Sequence, residues 1–142
     1  MMRSKDIKLK FFYTDGGQNP NTGQVFQRRK IIEGDSKQIE RYQRYIANTL
    51  SFIAPTIDDC DFVLSCIEKV ECEIEGNLEI EGADTDFVID GSGIQVNINV
   101  NEDWVDQPDG KFELKEVKAA VSGWKLFLRM PEAFDSKVEI DL

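Results

Sequence analysis

The chain has 142 residues, which is about the size of one domain. Apolar residues make up 41% and charged residues 31%, a balance typical of a globular protein and not of a disordered one. The 27 acidic and 17 basic residues give a formal charge of −10, which disfavours binding to nucleic-acid phosphates or an anionic membrane. The chain has no histidine, so most hydrolase chemistry is excluded. We therefore expect a single domain, residues 1–142, that binds a basic partner and is not an enzyme.

No apolar run approaches the length of a membrane span, and no small-residue cleavage site follows the basic N-terminus. We therefore expect a cytoplasmic protein. The spacing of Cys60, Cys66 and Cys72 fits no CxxC metal knuckle, and there is no histidine to complete a zinc site. This pattern predicts reduced thiols that act as small apolar residues, with no metal and no cofactor.

A hairpin is predicted at the start of the chain. In residues 7–13 apolar and basic side chains alternate before a run of aromatics, as in a strand with one buried face. Residues 15–23 are rich in turn formers, and residues 25–32 can return as the second strand. We therefore expect two strands joined by a loop at 15–23.

Two helices are predicted to follow this hairpin. Apolar residues in 39–53 recur at steps of three and four, and Asp35 with Gln38 fits a capping pair at the start of that helix. Residues 57–67 keep the same spacing after Pro55, so a second, shorter helix is expected there.

The middle of the chain has the period of two that is typical of strands. Apolar residues alternate with glutamates in residues 70–75 and again in residues 78–81, on either side of a Gly-Asn turn. Residues 87–98 alternate in the same way around a second turn at 90–93. Two hairpins of an antiparallel sheet are therefore predicted.

The C-terminal part predicts a connection, a helix and a strand. Residues 101–110 combine proline, glycine and acids, and residues 114–128 carry the apolar stripe of a helix in which Gly123 lets a neighbour come close. Residues 138–142 alternate as a last strand. The aromatic residues assigned to the core are Trp124, Phe11, Phe12, Phe52, Phe62 and Phe127. The elements together predict an α+β fold, with one antiparallel sheet and two to three helices packed on one face.

Negative charge is concentrated in one segment of the chain. Residues 51–110 hold sixteen carboxylates and a single basic residue, Lys69. If residues 70–81 form a hairpin, five glutamates project from its outer face, because side chains on a strand alternate with period two. These glutamates are Glu71, Glu73, Glu75, Glu79 and Glu81.

This predicted glutamate face has two interpretations. It can be a solvated face that keeps an edge strand from aggregating, since charge is a common device at sheet edges. It can also be a docking surface for a cationic partner, because complementary charge speeds encounter. Trp104 stands between Asp103 and Asp106 in the acidic connection, so it fits an interface anchor with a charged rim, or it folds back over the end of the sheet.

A calcium site is suggested by the alternating acids Asp84, Asp86 and Asp90. The spacing fails, because a calcium loop that starts at the first of them needs an oxygen ligand and then glycine where this chain has Val88 and Ile89. We therefore predict no metal site.

The only basic cluster consists of Arg28, Arg29 and Lys30, and it fits either a charged strand edge or an internal salt-bridge role against the acidic segment. The many carboxylates could also supply an acid/base pair of glycosidase type, but no feature selects two that face each other. A carboxylate-based hydrolase is therefore the less favoured alternative.

Two segments of the chain together form a pattern that is similar to a known family. They are residues 70–77, VECEIEGN, with the hairpin after them, and the C-terminal helix from 112–117, FELKEV, through 123–128, GWKLFL. On this pattern, which covers about residues 62–142, the chain resembles the CdiI-type partners of contact-dependent growth-inhibition toxins and of other polymorphic toxins. The resemblance implies a cytosolic protein that neutralises one cognate toxin domain, often a basic nuclease, and it implies no catalytic residue.

The residues by themselves favour the same class. An acidic single domain with its carboxylates concentrated in one segment can mimic phosphates and occlude a positively charged cleft. We therefore expect an immunity protein whose contact residues include Trp104 and the outward glutamates. A non-catalytic adaptor of the same fold is the alternative.

Overall fold

The computed structural model describes residues 7–34 and 36–142. Within these ranges the chain forms seven strands, four α-helices and three short 3-10 turns. The strands are β1 (Ile7–Asn19), β2 (Gly23–Gly34), β3 (Asn77–Glu81), β4 (Thr85–Asp90), β5 (Gly93–Ile98), β6 (Lys111–Phe112) and β7 (Lys137–Asp141). The helices are α1 (Ser36–Tyr45), α2 (Leu50–Ile53), α3 (Ile57–Glu71) and α4 (Leu114–Leu128). The 3-10 turns are Ala47–Thr49, Glu102–Trp104 and Pro108–Gly110.

The strands form two antiparallel sheets. The first sheet has the order β2-β1-β7, and the second has the order β3-β4-β5-β6. Because α1 and α4 each contact strands of both sheets, the helices lie between the sheets and each sheet turns one face to solvent. The predicted α+β class is confirmed, with two sheets where the sequence predicted one.

The hairpin of β1 and β2 is confirmed and is longer than predicted. Pairing continues almost to its tip, so most of the predicted loop at 15–23 is strand. Asp15 explains this extension, because its Oδ1 accepts hydrogen bonds from the backbone N–H of Gly17 (2.8 Å) and from Gln24 Nε2 (2.7 Å) across the register shift. The loop prediction is therefore wrong outside the turn at 20–22.

The helix predicted over 39–53 is divided into pieces. It leaves the α-helical path after Tyr45, passes through a 3-10 turn and resumes as the short α2. The buried Thr49 hydroxyl donates to the carbonyl oxygens of Tyr45 (2.8 Å) and Ile46 (3.1 Å), a side-chain contact that competes with regular helix hydrogen bonds. Asp35, one half of the predicted capping pair, lies outside the described residues.

The strand predicted over 70–75 is wrong, because α3 continues to Glu71. At the end of the helix, the backbone N–H of Ile74 donates a hydrogen bond to the carbonyl oxygen of Lys69 (2.9 Å). Glu73 takes a left-handed φ of 59° inside this turn, which is the geometry of a Schellman helix end. The second half of the predicted hairpin does form a strand, β3, which pairs with β4.

The remaining predicted elements are confirmed. β4 and β5 form a hairpin, residues 101–110 form the connection, and α4 and β7 follow as expected. A Cβ atom at Gly123 of α4 would lie 1.7 Å from Ile140 Cδ1, so β7 can pack this closely only against glycine.

Trp124 lies at the centre of the core. Its ring centroid is 5.3 Å from that of Phe11 and 6.0 Å from that of Phe127, and its Nε1 donates to the carbonyl oxygen of Ala54 (2.8 Å). The core assignment of these three aromatic residues is confirmed.

The core assignment of Phe52 and Phe62 is wrong, since they are 52% and 58% exposed, and Phe12 is half-buried. Phe62 lies off the buried stripe of α3. All three cysteines are free thiols, but only two are buried, and Cys72 is exposed just after α3. The prediction that Cys72 packs as a small apolar residue is therefore also wrong.

Candidate functional site

The solvent-facing side of the first sheet carries paired charges. Lys10 Nζ lies 3.0 Å from Glu33 Oε1, and Lys8 Nζ lies 3.6 Å from Glu139 Oε1. Both pairs join neighbouring strands, so positive and negative charges balance locally on that face.

The solvent-facing side of the second sheet carries a row of acids instead. Glu81 of β3 lies directly opposite Asp86 of β4, which lies opposite Asn97 of β5, and directly opposed residues share a face. Asn97 is buried, and its Oδ1 accepts a hydrogen bond from the backbone N–H of Asp106 (2.8 Å), so the 101–110 connection covers this end of β5 and brings the exposed Asp106 next to the row. Glu79 lies two residues before Glu81 and therefore faces the same way. We call Glu79, Glu81, Asp86 and Asp106 the acidic face.

The acidic face is not neutralised by residues 7–34 or 36–142, the part of the chain that the structure describes. Within residues 7–34 and 36–142, none of its four members forms an ion pair. An ion pair on this sheet joins Lys111 to Asp90 (3.7 Å), at the other end of β4. Hydrogen bonds from Ser92 to that aspartate lower its pKa. No described lysine or arginine therefore lies within ion-pair distance of the four acids of the face.

The basic cluster lies elsewhere. Arg28, Arg29 and Lys30 are on β2, an edge strand of the first sheet, and they form no ion pair with any described residue. Lys30 Nζ lies 5.3 Å from the ring centroid of Trp124 and donates to Ser51 Oγ (3.2 Å). Burial, and then the charge of Arg28, lower the pKa of Lys30. Arg28 and Arg29 are therefore exposed charges on a strand edge, whereas Lys30 turns inward. The predicted salt bridges from this cluster to the acidic segment do not form.

The predicted glutamate face is only partly formed. Glu71 ends α3, and its Oε1 lies 2.9 Å from Lys118 Nζ on α4. Glu73 and Glu75 are exposed in the turn that follows α3. Because this stretch is not a strand, the prediction that five glutamates share one face is wrong, and only the two glutamates of β3 belong to the outer face of the sheet.

Trp104 packs over the end of the second sheet, next to Ile98, and remains partly exposed. The 3-10 turn that carries it is capped by Asn101, whose Oδ1 accepts a hydrogen bond from the backbone N–H of Asp103 (3.0 Å). Of the two interpretations of Trp104, the one in which it folds back over the end of the sheet agrees with its position. Its exposed surface lines a groove.

This groove separates the end of the second sheet from α1 and α2 and has a volume of about 570 Å³. Two of its apolar side chains are largely exposed, Phe52 and Val100, the latter by 66%. We call it the Phe52–Trp104 groove. The apolar residues that line it are Ile39, Phe52, Ala83, Ile98, Val100 and Trp104.

Contacts on both walls fix the shape of the groove. The Arg44 guanidinium lies 5.0 Å from the ring centroid of Trp104, and its Nη2 lies 2.6 Å from Glu40 Oε1. On the other wall, a Cβ atom at Gly82 would lie 2.6 Å from the carbonyl oxygen of Phe52, so glycine is required for the β3–β4 turn to approach α2. The walls of the groove are therefore held by contacts within the chain.

Two residues are not predicted from the sequence as parts of the candidate site: Asp86 of the acidic face and Val100 of the Phe52–Trp104 groove. The sequence signal for Asp86 is its position next to the inward-facing Phe87, because neighbouring strand residues face opposite sides. No sequence signal pointed to Val100, because the groove joins segments that are distant in the chain.

The described residues hold no group of three or more histidine, cysteine, aspartate or glutamate side chains placed to bind a metal ion. None of the helices in the same part of the chain has the length and apolar character needed to cross a membrane. Comparisons with protein-family models, with curated proteins and with solved structures gave no match to this chain.

Proposed function

We propose that this chain is an immunity protein that binds and neutralises a cognate toxin domain through the acidic face. The observation that carries the proposal is the row formed by Glu81, Asp86 and Asp106, which have no ion pair within the described chain. A basic surface on a partner would supply the missing counter-charges. The resemblance of residues 62–142 to immunity proteins supports a toxin as that partner.

Protection of a sheet edge does not account for the whole face. β3 is the edge strand of the second sheet, so edge protection can explain Glu79 and Glu81. Asp86 lies on β4, which is paired on both sides, so edge protection does not explain its carboxylate. Asp106 lies in the connection beside β5, which β6 pairs only at Ile94 and Gln95. The acids thus extend further than the edge requires, as expected of a docking surface.

The proposed mechanism is electrostatic capture followed by occlusion. Complementary charge raises association rates from about 10⁵–10⁶ to about 10⁸ M⁻¹s⁻¹ or more at low salt. A carboxylate surface seated on a cationic cleft would occupy the positions that a nucleic-acid substrate's phosphates need. This mechanism requires no catalytic group on the present chain.

Co-expression tests the proposal directly. The product of the open reading frame adjacent to this gene is expressed alone and together with the full chain. Growth arrest by that product alone, with growth restored by the chain, is the expected result. A product that is toxic but not neutralised, or one that is harmless, would overturn the proposal, and a harmless product that still binds would indicate an adaptor.

A further inference from the structure

We propose that the Phe52–Trp104 groove receives a large apolar side chain from a lysine- or arginine-rich segment of the partner protein. This inference rests on the proposed function, because it names the chemistry of the partner segment beside the acidic face. Charge alone would give a contact that salt weakens strongly. An apolar side chain buried in the groove would add binding free energy that depends much less on the salt concentration.

The groove offers apolar surface that the fold does not cover. Phe52 and Val100 are large exposed hydrophobic residues, and both face the same groove as the partly buried Trp104. The volume of about 570 Å³ falls within the range of roughly 300–1,000 Å³ that is typical of ligand pockets. Aromatic side chains at the centre of a contact, with polar residues around them, form the usual arrangement of an energetic hot spot.

The charged groups around the groove favour a cationic occupant. Glu40, Arg44 and Asp84 line it, and the arginine is already engaged by the glutamate. The 3-10 turn that carries the tryptophan of the groove also carries Glu102 and Asp103, both exposed. The two acids and one arginine of the lining leave a net charge of −1, and Glu102 and Asp103 directly precede Trp104 in the chain. Lysines or arginines that flank an apolar residue would therefore meet carboxylates in and next to the groove.

The same charges argue against a second copy of this chain as the occupant. The chain has a formal charge of −10, and pairing two copies at this surface would bring acid against acid. A neutral apolar molecule would contact the apolar lining of the groove but would form no ion pair with the acids around it. The acids and the apolar lining together fit a basic segment with one apolar side chain.

A synthetic peptide in which one leucine is flanked on both sides by lysines serves as the probe. It is titrated into the ¹⁵N-labelled full chain, and the indole N–H signal of Trp104, assigned with Trp104→Phe, is followed by NMR. We expect saturable shifts of that signal and of the amide of Val100. Replacing the leucine by serine should weaken binding by about tenfold or more, and replacing the lysines by glutamates should abolish it.

A matched pair of variants locates the binding. Phe52→Ser removes an exposed phenylalanine from the groove, and Phe62→Ser removes a similarly exposed one from α3. Neither side chain is buried, so both variants should keep the thermal unfolding midpoint of the parent chain to within a few degrees. We expect weaker peptide binding by about tenfold for the first variant and unchanged binding for the second.

Equal binding of the leucine and serine peptides, equal effects of the two variants, or no shift at Trp104 would overturn the inference. The proposed function fails separately from it. If Phe52→Ser neutralises the adjacent gene product as strongly as the parent chain does, the groove does not bind the partner, but the immunity role is retained. If the peptide binds specifically but the adjacent gene product is not neutralised, the immunity role is contradicted, but binding of a basic segment in the groove is retained.

Discussion

Glu81 and Asp86 lie directly opposite each other on neighbouring strands of the second sheet, with their side chains on the solvent-facing side. Like charges in directly opposed positions destabilise an antiparallel pair. No lysine or arginine forms an ion pair with either residue in the part of the chain that the structure describes. The fold thus carries a repulsion that a bound cationic partner would relieve.

Removing one member of this pair should stabilise the free protein. We expect Glu81→Gln to raise the free energy of unfolding by about 0.2–1 kcal/mol, measured by urea denaturation at low salt. Glu79→Gln is the control, because its cross-strand neighbour is Val88 and no acid stands opposite. An equal gain for both variants, or a loss for Glu81→Gln, would contradict the account of the pair.

The end of α3 should gain stability from a glycine. Glu73 occupies the left-handed position of the helix end, where a Cβ atom is unfavourable. We expect Glu73→Gly to raise the free energy of unfolding by about 1 kcal/mol, whereas Glu75→Gly, in the same exposed turn but without a left-handed backbone, should not. Equal effects of the two substitutions would show that the backbone conformation is not the cause.

The incorrect strand prediction at residues 70–75 also results from the absence of a glycine at the end of α3. An alternation of apolar residues and glutamates satisfies both a strand and the last turn of a helix, and glycine is the usual signal that separates the two. Here glutamate occupies the position where glycine is usual, so no local signal in the sequence indicates that the helix continues to Glu71. Longer patterns were unambiguous, and α4 and the β4–β5 hairpin were therefore predicted correctly.

The candidate site was predicted in part. Glu79, Glu81, Asp106 and Trp104 lie around the end of the second sheet, whereas Glu71 is paired with Lys118 on the helical side. Local alternation shows which way a strand residue faces, and this was enough for the acids of β3. It does not show which distant segments meet, so the groove could not be predicted.

The packing of α4 on β7 depends on Gly123. We expect Gly123→Ala to lower the free energy of unfolding by about 1–3 kcal/mol, because the added Cβ would overlap Ile140. Gly76→Ala is the control, since a Cβ there meets nothing within 4 Å. The penalty should shrink in an Ile140→Val background, and an undiminished penalty would show that the clash lies elsewhere.

The three thiols should differ in reactivity. Burial, with the charges of Asp61 and Asp59, raises the pKa of Cys60 to about 11, and burial also raises that of Cys66. Below those pKa values both groups stay protonated and unreactive, whereas Cys72 is exposed. We expect one rapidly reacting thiol in the native chain at pH 8, three in urea, and none in native Cys72→Ser. Fast reaction of a second thiol in the native chain would contradict the described burial.

The association rate with the adjacent gene product tests the central claim most directly. It is measured by stopped flow at low and physiological salt for the parent, for Glu81→Lys with Asp86→Lys, and for a control of equal charge change, Glu132→Lys with Asp135→Lys, near the first sheet. We predict a rate at least about tenfold lower and a flatter salt dependence for the acidic-face variant, with little change for the control. Equal rates and equal salt slopes for the two variants would contradict the claim that this face receives the partner.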